Sequence, residues 1–109
     1  MTEERRKTPR VSTDVLAQIQ ILPEKLSILG RIMNLGIGGI LFKTADKIDR
    51  STKISIRFNL PPFPPSLPVE AIGRVVRLQQ GVGFAVKFSQ LEESHSQAIA
   101  HFVENIPSQ

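Results

Sequence analysis

Arg5, Arg6, Lys7 and Arg10 gather four of the chain's fourteen basic residues into one short N-terminal stretch. Guanidinium groups are planar and permanently charged. They form a fork that fits phosphate oxygens and the O6/N7 edge of guanine, and a flat face that stacks on a base. Arg6 and Arg10 lie four apart around Pro9, which fixes its own φ and biases Thr8 toward extended geometry. The spacing therefore predicts a stretch lying extended along a ligand or surface, with a solvated tail as the plainer alternative. A second unusual stretch is Met33-Asn34-Leu35-Gly36-Ile37-Gly38-Gly39-Ile40-Leu41. Its glycines permit positive φ and close approach of a ligand to the backbone, and its N–H groups can form an anion-binding nest. A tight hairpin with bulge glycines reads the same residues without a ligand. A Walker phosphate loop is excluded, because no Gly-Lys-Ser/Thr follows. A dinucleotide fingerprint is excluded, because the turn leads into Ile40-Leu41-Phe42 and not into a helix.

Other chemistries have little to work with. The chain has no cysteine, which removes disulfides, thiol catalysis and Cys-ligated zinc. His95 and His101 have no accompanying ligand set and read as structural or surface residues. No nucleophile with a base, paired carboxylates or metal cluster can be assembled, so an enzyme is not expected. Fourteen Lys and Arg against ten Asp and Glu give a formal charge of +4, which favours an anionic partner without choosing one. A nucleic-acid platform would need aromatic stacking groups. The chain has no Trp or Tyr, and its phenylalanines occupy mostly inward-looking positions, so nucleic acid is not an expected partner. No apolar run is long enough for a membrane span, and MTEERRKTPR lacks the apolar core of a secretory signal. Membrane insertion is therefore not expected, and a cytoplasmic location is.

The elements that must position these residues are mostly short strands, within the 109 residues of a single small domain. Val15, Ala17, Ile19 and Ile21 alternate with Leu16, Gln18 and Gln20 until Pro23. Leu26 to Met33 is a weaker strand, Ile40-Leu41-Phe42 a short buried run, and residues 53–60 alternate without a break. Val69 to Leu78 is long, β-branched and basic on one side through Arg74 and Arg77. Gln79-Gln80-Gly81 signals a hairpin into the alternating Val82, Phe84, Val86 and Phe88. Five or six such strands point to a mainly β fold, an antiparallel sheet curled into a small barrel. The period then changes to three and four from Leu91 to Ile106, which predicts an amphipathic C-terminal helix over about 90–106 that ends at Pro107 and lies across an open end or face of the barrel. The proline-rich loop at 61–68 is either a polyproline II ligand or, more simply, a stiffened hairpin connection.

Taken together, Arg6-Lys7-Thr8-Pro9-Arg10 and Asn34-Leu35-Gly36-Ile37-Gly38-Gly39 resemble the RxxxR and [D/N]xSxxG motifs of the PilZ domain family, bacterial receptors for the second messenger cyclic di-GMP. Arg5 supplies the fuller RRxxxR form. The strand at Val69–Leu78, the Gly83–Phe88 strand and the terminal helix also look like the family's. The resemblance implies a six-stranded antiparallel split barrel over 13–109, preceded by a flexible arginine-bearing segment at 1–12 that folds over the ligand. It implies that Arg6 and Arg10, assisted by Arg5, grip guanine and phosphate, that Asn34 faces a guanine edge or holds the loop, and that Gly36, Gly38 and Gly39 form the turn. Arg74 and Arg77 are added from strand alternation as cations facing the same side. Cyclic di-GMP is then a ligand, with no cofactor or metal, and the signal passes to a partner protein in motility, adhesion or biofilm control. Two departures stand out: Asn34 replaces the more frequent Asp, and Gly36 replaces Ser. The first trades a charged acceptor for a neutral one and the second removes a hydroxyl, so weaker binding than in a full-motif member is expected. The alternative is a degenerate domain of pilus or flagellar machinery that binds protein and no nucleotide.

Overall fold

The computed structural model describes residues 10–60 and 67–105. Six strands and one helix follow in chain order: β1 (Arg10–Ile21), β2 (Leu26–Gly36), β3 (Gly39–Lys43), β4 (Lys53–Leu60), β5 (Leu67–Gln79), β6 (Gly83–Leu91) and α1 (Glu93–Asn105). All strand pairings are antiparallel. The sheet closes into a barrel in the order β1-β2-β3-β6-β5-β4, with β4 returning to β1. Closure removes the exposed edges that an open sheet would present.

Alternation decides which side chains enter the barrel. In β4 the residues Ile54, Ile56, Phe58 and Leu60 are buried while Lys53, Arg57 and Asn59 face out. Ile19, Ile32, Leu35, Phe42 and Phe84 are among the most deeply buried core side chains. The rings of Phe42 and Phe84 meet with centroids 5.4 Å apart at a tilt of 37°, within the range that aromatic pairs prefer. Helix α1 packs against β2, β4 and β5, and its Ile99, Phe102 and Val103 complete the core. It begins later than the expected residue 90, because β6 continues to Leu91, whose side chain packs on the core as strand and not as helix. Residue 106 and the stop at Pro107 lie outside the described residues, as does the loop at 61–66. His95 is held at the start of α1 by the backbone of Glu70, its Nδ1 lying 3.3 Å from the amide nitrogen and 3.1 Å from the carbonyl oxygen.

Strand β1 starts at Arg10, so Arg10, Val11 and Ser12 are already paired with Gly36, Leu35 and Asn34, inside the stretch expected to be flexible. Four register shifts interrupt the ladders, each one residue longer on one strand. Two are closed by hydroxyls: Thr13 donates to the Ile32 carbonyl, and Ser89 to the Ile72 carbonyl at 3.2 Å. The other two set the site. One lies between Ile32 and Asn34 in β2, the other between Val75 and Arg77 in β5. Ile32 and Leu35 are both buried although three apart, so the β2 bulge turns Asn34 and Gly36 to the outer face. Arg74 and Arg77 are likewise an odd number apart, and strict alternation would send them to opposite faces. The β5 bulge leaves both exposed.

Candidate functional site

The register builds one row of residues across the outer surface of the barrel. Arg10 on β1 pairs with Gly36 on β2, Gly36 with Gly39 on β3, Gly39 with Lys87 on β6, and Lys87 with Arg74 on β5. A second row runs beside it: Ser12, Asn34, Leu41, Ala85 and Arg77. The floor is therefore made of glycines and an alanine, and cations stand around it. A depression of about 190 Å³ follows this floor, with Arg10, Gly36, Gly39, Arg77 and Lys87 in its lining. Gly38 lies at the tip of the β2–β3 turn on the same lining, and Val76 adds an apolar wall.

The electrostatics are one-sided. Arg31 and Arg57, elsewhere on the barrel, each have a carboxylate within 3.6 Å, from Asp14 and Glu70. Among the described residues no acid pairs with Arg10, Arg77 or Lys87. Lys87 and Arg74 lie directly across from one another, an arrangement of like charges that costs stability in a sheet unless an anion answers it. Arg74 turns away and donates from Nη1 to the Ser51 carbonyl at 2.9 Å. It does not line the depression, whereas Arg77 does.

Asn34 is half-buried between Ser12 and Leu41 and does not line the depression itself. Its Oδ1 is fully buried and accepts no hydrogen bond. An acceptor left so costs on the order of 1–3 kcal/mol unless water or another group completes it.

The glycine turn differs from its expected geometry. Positive φ among the described glycines occurs at Gly81 and Gly83 and not at Gly36, Gly38 or Gly39. The turn is a two-residue connection, Ile37-Gly38, between the paired Gly36 and Gly39. The requirement for glycine at 39 comes from packing: a Cβ there would sit 2.1 Å from the Val86 carbonyl oxygen and 3.3 Å from Lys87 Cα. At Gly38 a Cβ would meet nothing within 4 Å, and its carbonyl accepts from the Phe88 amide at 2.9 Å. Bare backbone at 39 thus lets β6 come close and brings Lys87 alongside the turn.

Of the residues expected from sequence, the structure brings Arg10, Gly36, Gly38, Gly39 and Arg77 around one depression, places Asn34 beside it and Arg74 off it. Arg5 and Arg6 lie outside the described residues. Lys87 joins the group without having been expected. Its signal was present only as a charged residue in an alternating strand, because its neighbourhood with Gly39 depends on β3 pairing with β6 across the intervening β4 and β5. Two larger hollows, of about 620 and 610 Å³, open elsewhere. The first holds Glu70 and Glu92 beside Arg57 and His95, and the second Asp46 beside Lys47. Neither concentrates one sign of charge, so size does not make them the better anion site. Among the described residues no group of three His, Asp or Glu is placed to hold a metal ion, and no helix is long and apolar enough to cross a membrane.

Comparison with known proteins follows the same geometry. A search of curated proteins gives no match. Among solved structures, the inhibitor of motility MotI/DgrA of Bacillus subtilis superposes with a TM-score of 0.80 at 19% identity, covering 93% of this chain and 50% of that one. The chain thus spans half the length of that neighbour. The PilZ domain of CeSA from a cellulose-synthesizing bacterium gives 0.65 at 16% identity, over 87% of this chain and 94% of that one. The PilZ domain of YcgR from Escherichia coli, solved with c-di-GMP, gives 0.68 at 13% identity, over 93% and 90%. At these identities the likeness is one of fold, a six-stranded antiparallel barrel with a C-terminal helix. Residues 4–105 match the family model described as PilZ domain, which takes in both glycine-turn strands, the arginine segment and the helix, and the chain belongs to the PilZ domain family.

Proposed function

We propose that this domain is a cyclic di-GMP receptor, in which the arginine segment closes over a dinucleotide bound on the glycine floor and the change is passed to a partner protein. The observation that carries the reading is the convergence of Arg10 and Arg77 on a bare floor at Gly36 and Gly39, with no acid to neutralise them among the described residues. A floor without bulky side chains suits a planar base, and guanidinium groups at its rim can stack on that base while donating to phosphate oxygens or to guanine O6 and N7. Arg5 and Arg6 add two further forks to the segment that Arg10 anchors. Asn34 stands beside the depression, and a turn of its amide toward the floor would bring an acceptor to guanine N1–H or N2–H. Of two fold neighbours, YcgR's PilZ domain was solved with c-di-GMP and MotI/DgrA is an inhibitor of motility, which makes motility the first output to examine.

Titration calorimetry tests the reading. Heat with a saturable isotherm at tens of micromolar ligand is the expected result, and a folded protein that gives none contradicts it. The absent hydroxyl at Gly36 and the neutral amide at Asn34 favour a second reading in that event, a barrel that has kept its fold for contact with another protein. A further expectation separates the two. Gly36→Ser restores one hydrogen-bonding group, worth on the order of 1 kcal/mol, and is expected to tighten binding about fivefold. An unchanged isotherm places the dinucleotide away from the turn.

A further inference from the structure

Lys87 has three properties that the arginine and glycine motifs do not explain. It projects from the outer face of β6 directly beside Gly39, whose missing side chain leaves nothing between the lysine and the floor. It lines the same depression as Arg10 and Arg77. It also stands opposite a like charge, Arg74, whose guanidinium is already engaged by the Ser51 carbonyl, and no acid pairs with Lys87 among the described residues. Its place in the row matters as much. Arg10 and Lys87 are separated by two glycine-bearing strands, hence by three strand spacings or about 14 Å of sheet. They flank the floor from opposite sides. A ligand lying on the glycines meets a planar fork at one margin and a compact, mobile ammonium at the other.

We infer that Lys87 is a ligand-contacting residue of this site, its ammonium meeting a phosphate oxygen of the bound cyclic dinucleotide from the β6 side while Arg10 holds the opposite side. Lysine suits that duty better than base recognition, because its ammonium is a point charge on a flexible stem, without the fork that reads a base edge. The contact also offsets what the turn lacks: with a glycine at 36 and an amide at 34, part of the ligand's hold moves from the β2 strand to β6. The inference rests on the receptor reading above and adds a determinant of affinity to it.

The test uses the whole chain, calorimetry with cyclic di-GMP, and three variants at low and at physiological salt. Lys43 serves as the control, since it is an exposed cation of the same β3–β6 pairing that does not line the depression. Lys87→Ala is expected to weaken binding about tenfold at low salt, with a smaller loss of affinity on adding salt than the wild type shows, as removal of a phosphate-facing charge requires. Lys87→Arg is expected to stay within about threefold of wild type, and Lys43→Ala to match it. Equal affinity of wild type and Lys87→Ala overturns the assignment of Lys87 and leaves the receptor reading standing. An equal loss in Lys43→Ala overturns it too, since general surface charge then accounts for the effect. No heat from folded wild type overturns the receptor reading itself, and the Lys87 contact with it.

Discussion

Arg10→Ala is expected to weaken cyclic di-GMP binding by about a hundredfold or more while leaving the barrel folded. The side chain is exposed at the start of β1, so its removal disturbs no core contact, and surface substitutions of that kind change stability by about 0.5 kcal/mol or less. Its contribution to a bound anion is of another order. Hydrogen bonds from a charged donor are worth about 1.5–3 kcal/mol each, and a guanidinium that makes two of them loses on the order of 3 kcal/mol or more on truncation. Each 1.4 kcal/mol is a factor of ten in affinity. Calorimetry on the variant, paired with a thermal melt, reads both quantities. An isotherm equal to wild type removes Arg10 from the site and with it the link between the arginine segment and the glycine floor.

The second large effect falls on stability. Gly39→Ala is expected to destabilise the domain by about 2–3 kcal/mol, and Gly38→Ala, one position away, to be neutral or slightly stabilising. At 39 the added methyl would lie 2.1 Å from the Val86 carbonyl oxygen, a backbone atom held in the β3–β6 ladder, so the strands themselves must separate. A domain of this size loses about 4–8 °C of melting temperature per kcal/mol, which puts the expected drop near 10–20 °C. At 38 the methyl meets nothing within 4 Å and the backbone is not in the left-handed region, so alanine mainly removes freedom from the unfolded chain. Thermal melts of the two variants decide the matter. Equal melting temperatures would mean that close approach of β6 is not what position 39 requires.

These two positions show what a linear sequence discloses and what it hides. The strand at 53–60 alternates with period two and folds as it reads, because burial of one face alone fixes it. The C-terminal helix is equally visible through Ile99, Phe102 and Val103, but its start was not, since Leu91 satisfies the core from strand as readily as from helix. The arginine and asparagine-glycine motifs were legible as chemistry, and Arg10 indeed pairs with the strand that carries Asn34 and Gly36. The reason for the glycines was not legible. Composition at 36–39 permits positive φ, and the structure spends Gly39 on backbone contact across a non-local pairing. The bulges were hidden too. Arg77 faces the site because β5 carries an extra residue before it, and the sequence does not mark Val76 as that place. Lys87 was hidden for the same reason of long-range register, being adjacent to the turn only once β6 has inserted between β3 and β5.

The most direct test of the central claim is a backbone amide spectrum of the isotopically labelled chain recorded with and without cyclic di-GMP. The predicted result is a saturable set of shifts at residues 5–10, 34–39 and 85–87, with little change at Gln18, Ser55 and Gln90, which line the hollow on another part of the barrel. A folded protein whose amides at 34–39 stay in place under saturating ligand, or whose shifts gather around that other hollow, contradicts the account.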